Sequence, residues 1–89
     1  MIHLFVRQNV ADYVTWRLVY DRFYSNPEAH GAPTRTVFQS IDDPNEITVE
    51  HIFKNLADAR TLVSSTDLAQ AMTDAGVLAT PQIWLVEKR

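Results

Sequence analysis

One histidine and a group of aromatic residues carry most of the chemistry that this sequence could perform. His51 lies within the apolar stretch Ile47 to Phe53, and strand alternation places it on the same face as Val49 and Phe53. A neutral imidazole whose pKa is near the working pH can accept a proton from a phenol or an enol. His51 is therefore the candidate catalytic base. The alternative is a core histidine that a backbone carbonyl or a tyrosine hydroxyl holds in place.

Three aromatic residues repeat at helical spacing near the start of the chain: Tyr13, Trp16 and Tyr20. At the helical angle between successive residues they fall in one stripe, which is typical of the core-facing side of any amphipathic helix. Such a stripe can also form an aromatic wall against a planar ligand, with a tyrosine hydroxyl to orient it. We therefore take these three residues as ligand-binding candidates. Asn9 is a fourth candidate, although its first expected role is to cap the helix.

A four-residue pattern, Asn-x-Ala-Asp, indicates the elements that position these residues. It begins at Asn9 and again at Asn55, each time shortly after an apolar run. Asn favours the N-cap of a helix, and Asp three residues later favours the positive end of the helix dipole. Each copy thus predicts a strand followed by a helix, so residues 1–89 read as one domain of two strand–helix–strand halves.

The predicted elements follow the order β-α-β-β-α-β. Strands are expected near residues 2–8, 34–40, 46–53 and 82–87, and helices over 10–25 and 55–64 with a further segment to 75. Asn26-Pro27 should end the first helix and Gly76 the last, and His30 is expected in a solvated loop. Right-handed crossovers then give an α+β, ferredoxin-like fold, in which both helices cover one face of a four-stranded antiparallel sheet.

That fold leaves the other face of the sheet without helices. Alternation places on it an apolar set that would face water in a monomer: Phe5, Ile52, Trp84 and Val86. A patch of this size marks an interaction surface, so the sequence predicts a homodimer through the sheet faces. We expect the strands of Ile2 and Ile47 to be adjacent and parallel, so that Glu50 pairs with Arg7 or His3 on the same face.

Composition excludes several classes of function. The chain has 89 residues, no cysteine, two glycines and a formal net charge of −3. Eight Lys and Arg residues spread along the chain do not form a nucleic-acid surface, and two glycines do not make a glycine-rich phosphate loop. No apolar run is long enough for a membrane span or a signal peptide, so we expect a cytoplasmic protein. No histidine and carboxylate set completes a metal site, and no metal is expected.

Four segments resemble those of a known family: Val10-Ala11-Asp12-Tyr13-x-x-Trp16, Asp42-Asp43-Pro44-Asn45-Glu46, Leu56-x-x-Ala59-Arg60 and Ser65-x-Asp67-Leu68-x-x-Ala71-Met72-x-x-Ala75-Gly76-Val77. They are similar to the antibiotic-biosynthesis-monooxygenase-like (ABM) domains of the dimeric α+β barrel superfamily. The resemblance implies two ferredoxin-like protomers that form one barrel, with a small-molecule cavity between sheet and helices in each.

The same resemblance implies a function. Relatives include cofactor-free monooxygenases that act on polycyclic phenols, so we expect a monooxygenase, or related enzyme, that acts on an aromatic or polyketide-like compound without a cofactor. The alternative is a non-catalytic dimer that binds a small molecule or serves in a stress response. Haem-degrading relatives use a His and a Trp in the second helical region. The stretch from Leu56 to Gly76 contains neither, so haem degradation is not expected.

Overall fold

The computed structural model describes residues 1–25 and 34–89. These residues form β1 (Ile2–Asn9), α1 (Tyr13–Phe23), β2 (Thr34–Gln39), β3 (Glu46–Phe53), α2 (Leu56–Val63), α3 (Thr66–Asp74) and β4 (Gln82–Glu87). The last two strands have the predicted bounds, whereas α1 is shorter than predicted at both ends. The predicted helix end at Asn26-Pro27 and the loop of His30 lie outside the described residues.

The four strands form one antiparallel sheet in the order β2-β3-β1-β4. β1 and β3 are adjacent, as predicted, but they run antiparallel, with Leu4 opposite His51 and Val6 opposite Val49. The expectation of a parallel pair was therefore wrong. The α1 crossover returns the chain so that β2 runs in the direction of β1, and the following hairpin reverses it in β3.

Strand alternation decides which face of the sheet becomes the core. In β3 the side chains of Ile47, Val49, His51 and Phe53 are buried, while the residues between them are half-buried. The helices cover this face through Trp16 and Tyr20 of α1, through Tyr24 at its C-cap, and through apolar residues of α2 and α3: Ala59, Leu62 and Leu68. The aromatic stripe predicted for α1 is thus the side of the helix that packs on the sheet.

The two copies of the Asn-x-Ala-Asp pattern differ in the residue that caps the following helix. Asn55 caps α2 as predicted, because its side-chain oxygen accepts the N–H of Asp58 at 2.9 Å. Asn9 does not cap α1. Asp12 does so instead, accepting the N–H of Thr15 at 3.0 Å. Asn9 stays in β1, where its carbonyl accepts the N–H of Leu78, so the chain remains extended and α1 begins later than predicted.

Two turns that are distant in the sequence accept hydrogen bonds from the junction between β1 and α1. Asn45, in the β2–β3 hairpin, accepts the N–H of Tyr13 with its side chain and that of Val10 with its carbonyl. Gly76 ends the α3 segment with a φ of 80°, a conformation that glycine adopts without strain. Its carbonyl accepts the N–H of Ala11 at 3.0 Å.

The helix-free side of the sheet, which we call the open face, carries the predicted apolar set. Trp84 and Val86 are 41% and 43% exposed, and Phe5 stacks on Trp84 at 5.8 Å between ring centroids. Phe38, which was not in the predicted set, lies on the same face and is 49% exposed. Among the described residues, no helix is long and apolar enough to cross a membrane.

The predicted ion pair on the open face forms with one of its two candidate partners. His3 Nδ1 lies 2.7 Å from Glu50 Oε2. Arg7 contacts Glu46 instead, because the antiparallel register places Glu46 opposite Asn9, two residues after Arg7 in β1.

Candidate active site

A cavity lies between the sheet and the helices. Its volume is about 40 Å³. Two polar residues, Gln8 of β1 and His51 of β3, interrupt a wall that is otherwise apolar or aromatic among the described residues. The cavity is therefore narrow, and it presents few polar groups to a ligand.

His51 and Tyr20 form a hydrogen-bonded pair in this wall. Alternation in β3 turns His51 toward the helices, and helical spacing brings Tyr20 of α1 over it. The Tyr20 hydroxyl lies 3.1 Å from His51 Nε2, and the imidazole is 2% exposed. The edge of the Tyr24 ring system packs against the imidazole, at 4.7 Å between centroids and 85° between planes. A tyrosine hydroxyl thus holds His51, as one of the two sequence-based interpretations expected.

The second ring nitrogen of His51 distinguishes it from a fully satisfied core histidine. Nδ1 is buried and has no hydrogen-bond partner among the described residues. Buried polar atoms are normally paired, and one that borders a cavity is available to a ligand or to water. The contact admits two tautomers: in one, Nε2–H donates to the Tyr20 oxygen and Nδ1 is an acceptor beside the cavity; in the other, Tyr20 O–H donates to Nε2 and Nδ1–H is a donor.

Burial controls the protonation of this pair. It lowers the pKa of His51 to about 4, and the positive charge of Arg35 contributes to the same shift. It also raises the pKa of Tyr20 to about 12, against the opposing charges of Arg35 and Arg17. Both groups are therefore neutral at pH 7. The imidazole is a weak base in the empty site, but a phenolate formed beside it would stabilise the imidazolium and raise that pKa.

Sequence reasoning missed Gln8. Its side chain is 6% exposed, its Oε1 has no partner among the described residues, and it borders the same cavity as His51. A signal was present in the sequence: Gln8 follows Leu4 and Val6 in the alternation of β1, so a polar residue occupies a core-facing position.

The other predicted ligand-binding residues divide into two groups. Trp16 and Tyr20 border the cavity and stack on each other, at 4.8 Å between centroids and 22° between planes. Tyr13 stacks on the far side of Trp16 at 6.0 Å, but it is not among the cavity residues. Asn9 is exposed at the end of β1. The structure therefore brings His51, Trp16 and Tyr20 together and leaves Asn9 and Tyr13 outside the cavity.

Two arginines lie against the outer side of Tyr20. The guanidinium carbons of Arg17 and Arg35 are 5.8 and 6.0 Å from the centroid of its ring. Arg17 is paired with Asp21 at 3.1 Å, whereas Arg35 forms no ion pair with any described residue. These cations make the surroundings of the His51–Tyr20 pair positive, which opposes imidazolium formation and favours a bound anion. No group of three His, Asp or Glu side chains in residues 1–25 and 34–89 could hold a metal ion.

Several solved structures share the fold of the whole chain. SnoaB, a cofactor-independent oxygenase from Streptomyces nogalater, matches with a TM-score of 0.80 and 16% identity over 99% of this chain and 92% of that chain. The chain shares this fold. An antibiotic biosynthesis monooxygenase matches with a TM-score of 0.77 and 8% identity, over 100% of this chain and 99% of that chain.

A third solved structure shares the fold. Rv0793 from Mycobacterium tuberculosis matches with a TM-score of 0.75 and 11% identity, over 99% of this chain and 94% of that chain. No protein-family model matches the sequence. No curated protein matches it either. At these identities the likeness of the chain to the solved structures concerns the fold.

Proposed function

We propose that this protein is a cofactor-independent monooxygenase, or a related small-molecule enzyme, that acts on an aromatic or polyketide-like compound. One observation carries the proposal: a buried histidine borders the helix–sheet cavity, with one nitrogen held by Tyr20 and the other unpartnered. The fold shared with a cofactor-independent oxygenase supports this class of reaction.

In the proposed reaction, His51 Nδ1 accepts the proton of a substrate hydroxyl. The resulting phenolate is electron-rich enough to reduce dioxygen directly. One oxygen atom replaces the hydrogen of a ring carbon and becomes a carbonyl, while the phenolic carbon also becomes a carbonyl. The other oxygen leaves as water with the C–H and O–H hydrogens, and the substrate as a whole supplies the four electrons that reduce dioxygen. The chain contributes position and environment: the apolar wall removes water from the phenolate, and Trp16 and Tyr20 provide flat surfaces for its ring.

The width of the cavity limits the substrate. A cavity of about 40 Å³ holds a few water molecules, so an aromatic ring needs the wall to move. Met72 borders the cavity and is half-buried, and a flexible unbranched side chain can change conformation at small cost. We therefore expect small phenols to enter more readily than three-ring compounds.

Oxygen uptake tests the proposal. Phenols with one, two and three fused rings are supplied to the purified protein in air-saturated buffer, and oxygen consumption and products are followed. His51→Ala should reduce kcat/KM at least a hundredfold, as expected when a general base is lost. Asn9→Ala, outside the cavity, should leave it unchanged. Turnover that is equal in wild type and His51→Ala would remove His51 from the role of base.

The narrow cavity also supports the second candidate, a non-catalytic protein that binds a small molecule. This protein would bind phenols without consuming oxygen, and calorimetry beside the oxygen electrode separates the two functions. For either function we propose a homodimer whose sheets pack face to face. The exposed apolar side chains of the open face support it, and a stable interface should bury more than about 1,000 Å².

A further inference from the structure

Two buried polar atoms without partners border the same cavity, and the residues that carry them lie well apart in the sheet. His51 Nδ1 and Gln8 Oε1 are both buried and unpaired among the described residues. Their side chains are 2% and 6% exposed. An unsatisfied buried acceptor destabilises a protein, so its presence in two places of one cavity indicates a molecule that satisfies both.

The sheet register gives the separation of the two residues. His51 is opposite Leu4 and Gln8 is opposite Ile47, so the two positions are four residue steps apart along either strand. At the rise of a β-strand this is about 13 Å between their backbones. The side chains that lie between them on the cavity side of the sheet are apolar: Val6 of β1 and Val49 of β3. The cavity therefore has a hydrogen-bonding group toward each end and an apolar floor between them.

We propose that Gln8 and His51 hold the two ends of one elongated aromatic ligand that carries a hydroxyl group at each end. The proposal rests on the proposed function, because it names the substrate class of the same cavity. The hydroxyl near His51 donates to Nδ1 and is the one that loses its proton. The distal hydroxyl binds the side-chain amide of Gln8, which makes Gln8 a specificity-determining residue.

The chemistry of Gln8 selects a hydroxyl group. A hydroxyl both donates and accepts, so it matches an amide in either orientation. A carboxylate at that end would face an apolar wall without a cation among the described lining residues, and its desolvation would oppose binding. The two residues are about 13 Å apart, and each hydrogen bond to the ligand takes up about 3 Å of that distance. The two ligand oxygens then lie about 7–8 Å apart, which corresponds to two fused aromatic rings.

Calorimetry with matched ligands tests the proposal without any need for turnover. The probes are 2,6-dihydroxynaphthalene, with a hydroxyl at each end, and 2-naphthol, which lacks the distal one, both titrated in the absence of oxygen. Wild type should bind the diol about tenfold more tightly, as expected for one additional hydrogen bond. Gln8→Met should abolish this preference by weakening the diol alone. Gln82→Met, on the open face, is the matched control and should keep it.

The outcomes separate this proposal from the proposed function. Equal affinity of wild type for the two probes, or no binding of the diol, overturns it, and so does a Gln8→Met variant that keeps the preference. Those results would mean that water alone satisfies Gln8. The comparison of ligands in wild type stands even if the variant does not fold. Selective diol binding without oxygen uptake would refute the oxygenase and leave the two-ended site intact.

Discussion

The hydroxyl of Tyr20 and Nε2 of His51 lie 3.1 Å apart and join the first helix to the third strand inside the core. Because this bond occupies Nε2, the remaining nitrogen, Nδ1, is the one available to a molecule in the cavity. A core contact thus also determines which atom of the candidate base is free to react.

Tyr20→Phe should destabilise the protein by about 1–3 kcal/mol, because it leaves Nε2 buried without a partner. Urea denaturation at pH 7 measures the effect. Tyr13→Phe is the matched control: its hydroxyl only accepts a 3.3 Å hydrogen bond from the half-exposed Arg17, so we expect a change of about 0.5 kcal/mol or less. Equal losses in the two variants would contradict a special role for the Tyr20–His51 bond.

Acidification should destabilise the folded state through His51. The pKa of this residue is about 4 when folded, against the ordinary histidine value of 6.5 in the unfolded chain. Between these values the unfolded state binds more protons, so stability rises with pH and is lost as the pH falls from about 6.5 to 4. From pH 7 to pH 5 the expected loss is about 2 kcal/mol from this one group.

Denaturation curves of wild type and His51→Gln at several pH values isolate this contribution, because glutamine does not titrate. The difference between the two proteins should shrink with acidification. The imidazole contacts Tyr20 and Tyr24, and the positive charge of Arg35 acts on it. Of these three groups only Arg35 is charged in this pH range. Arg35→Gln should therefore raise the pKa of His51. A pH-independent difference would show that His51 titrates alike in both states.

Replacement of the helix caps should distinguish the two copies of the repeated pattern. Asn55→Ala and Asp12→Ala should each lower the free energy of unfolding by about 1 kcal/mol, because each removes the acceptor of a first-turn N–H. Asn9→Ala should change it by less than about 0.5 kcal/mol, since this exposed side chain caps no helix. A loss of stability in Asn9→Ala comparable to that in Asn55→Ala would contradict the assignment.

Ile52→Lys should convert the proposed dimer to a monomer, because it places a charge within the apolar open face. Sedimentation velocity at micromolar concentration measures the change. Val14→Lys, on the exposed side of α1, is the control and should leave the dimer intact. A wild-type protein that sediments as a monomer would refute face-to-face pairing of the sheets.

Haemin should not form a stoichiometric complex with this protein. Neither α2 nor α3 contains a histidine, and Nε2 of His51 is already bonded to Tyr20. Titration followed in the Soret band checks this expectation. A sharp complex that disappears in His51→Ala, and whose band is lost oxidatively with a reductant, would show instead that the chain is a haem-degrading enzyme.

Local patterns in the sequence were sufficient for several features. Alternation predicted the bounds of β3 and β4 and the inward orientation of His51, because side-chain direction in a strand depends only on parity. Helical periodicity likewise predicted that Trp16 and Tyr20 lie on the buried side of α1. The capping role of Asn55 followed from residues within one turn of it.

Other features depended on residues far apart in the chain. Asn9 and Asp12 are both suitable N-caps, and the choice between them was decided by how far β1 continues, which depends on its pairing with Glu46 and Leu78. The wrong strand direction had a different origin, since the predicted crossover and hairpin already imply that β3 runs opposite to β1, and the expected parallel pair disagreed with that topology.

The sequence alone thus determined the order of the elements and the faces that they bury, because these follow from interactions between near neighbours. Only the tertiary structure decided the candidate site. It brought Tyr20 to His51 across 31 positions, left Nδ1 and the oxygen of Gln8 unpaired beside one cavity, and made that cavity narrow. Whether a buried polar group finds a partner depends on how the elements pack together, so it has no local signature in the chain.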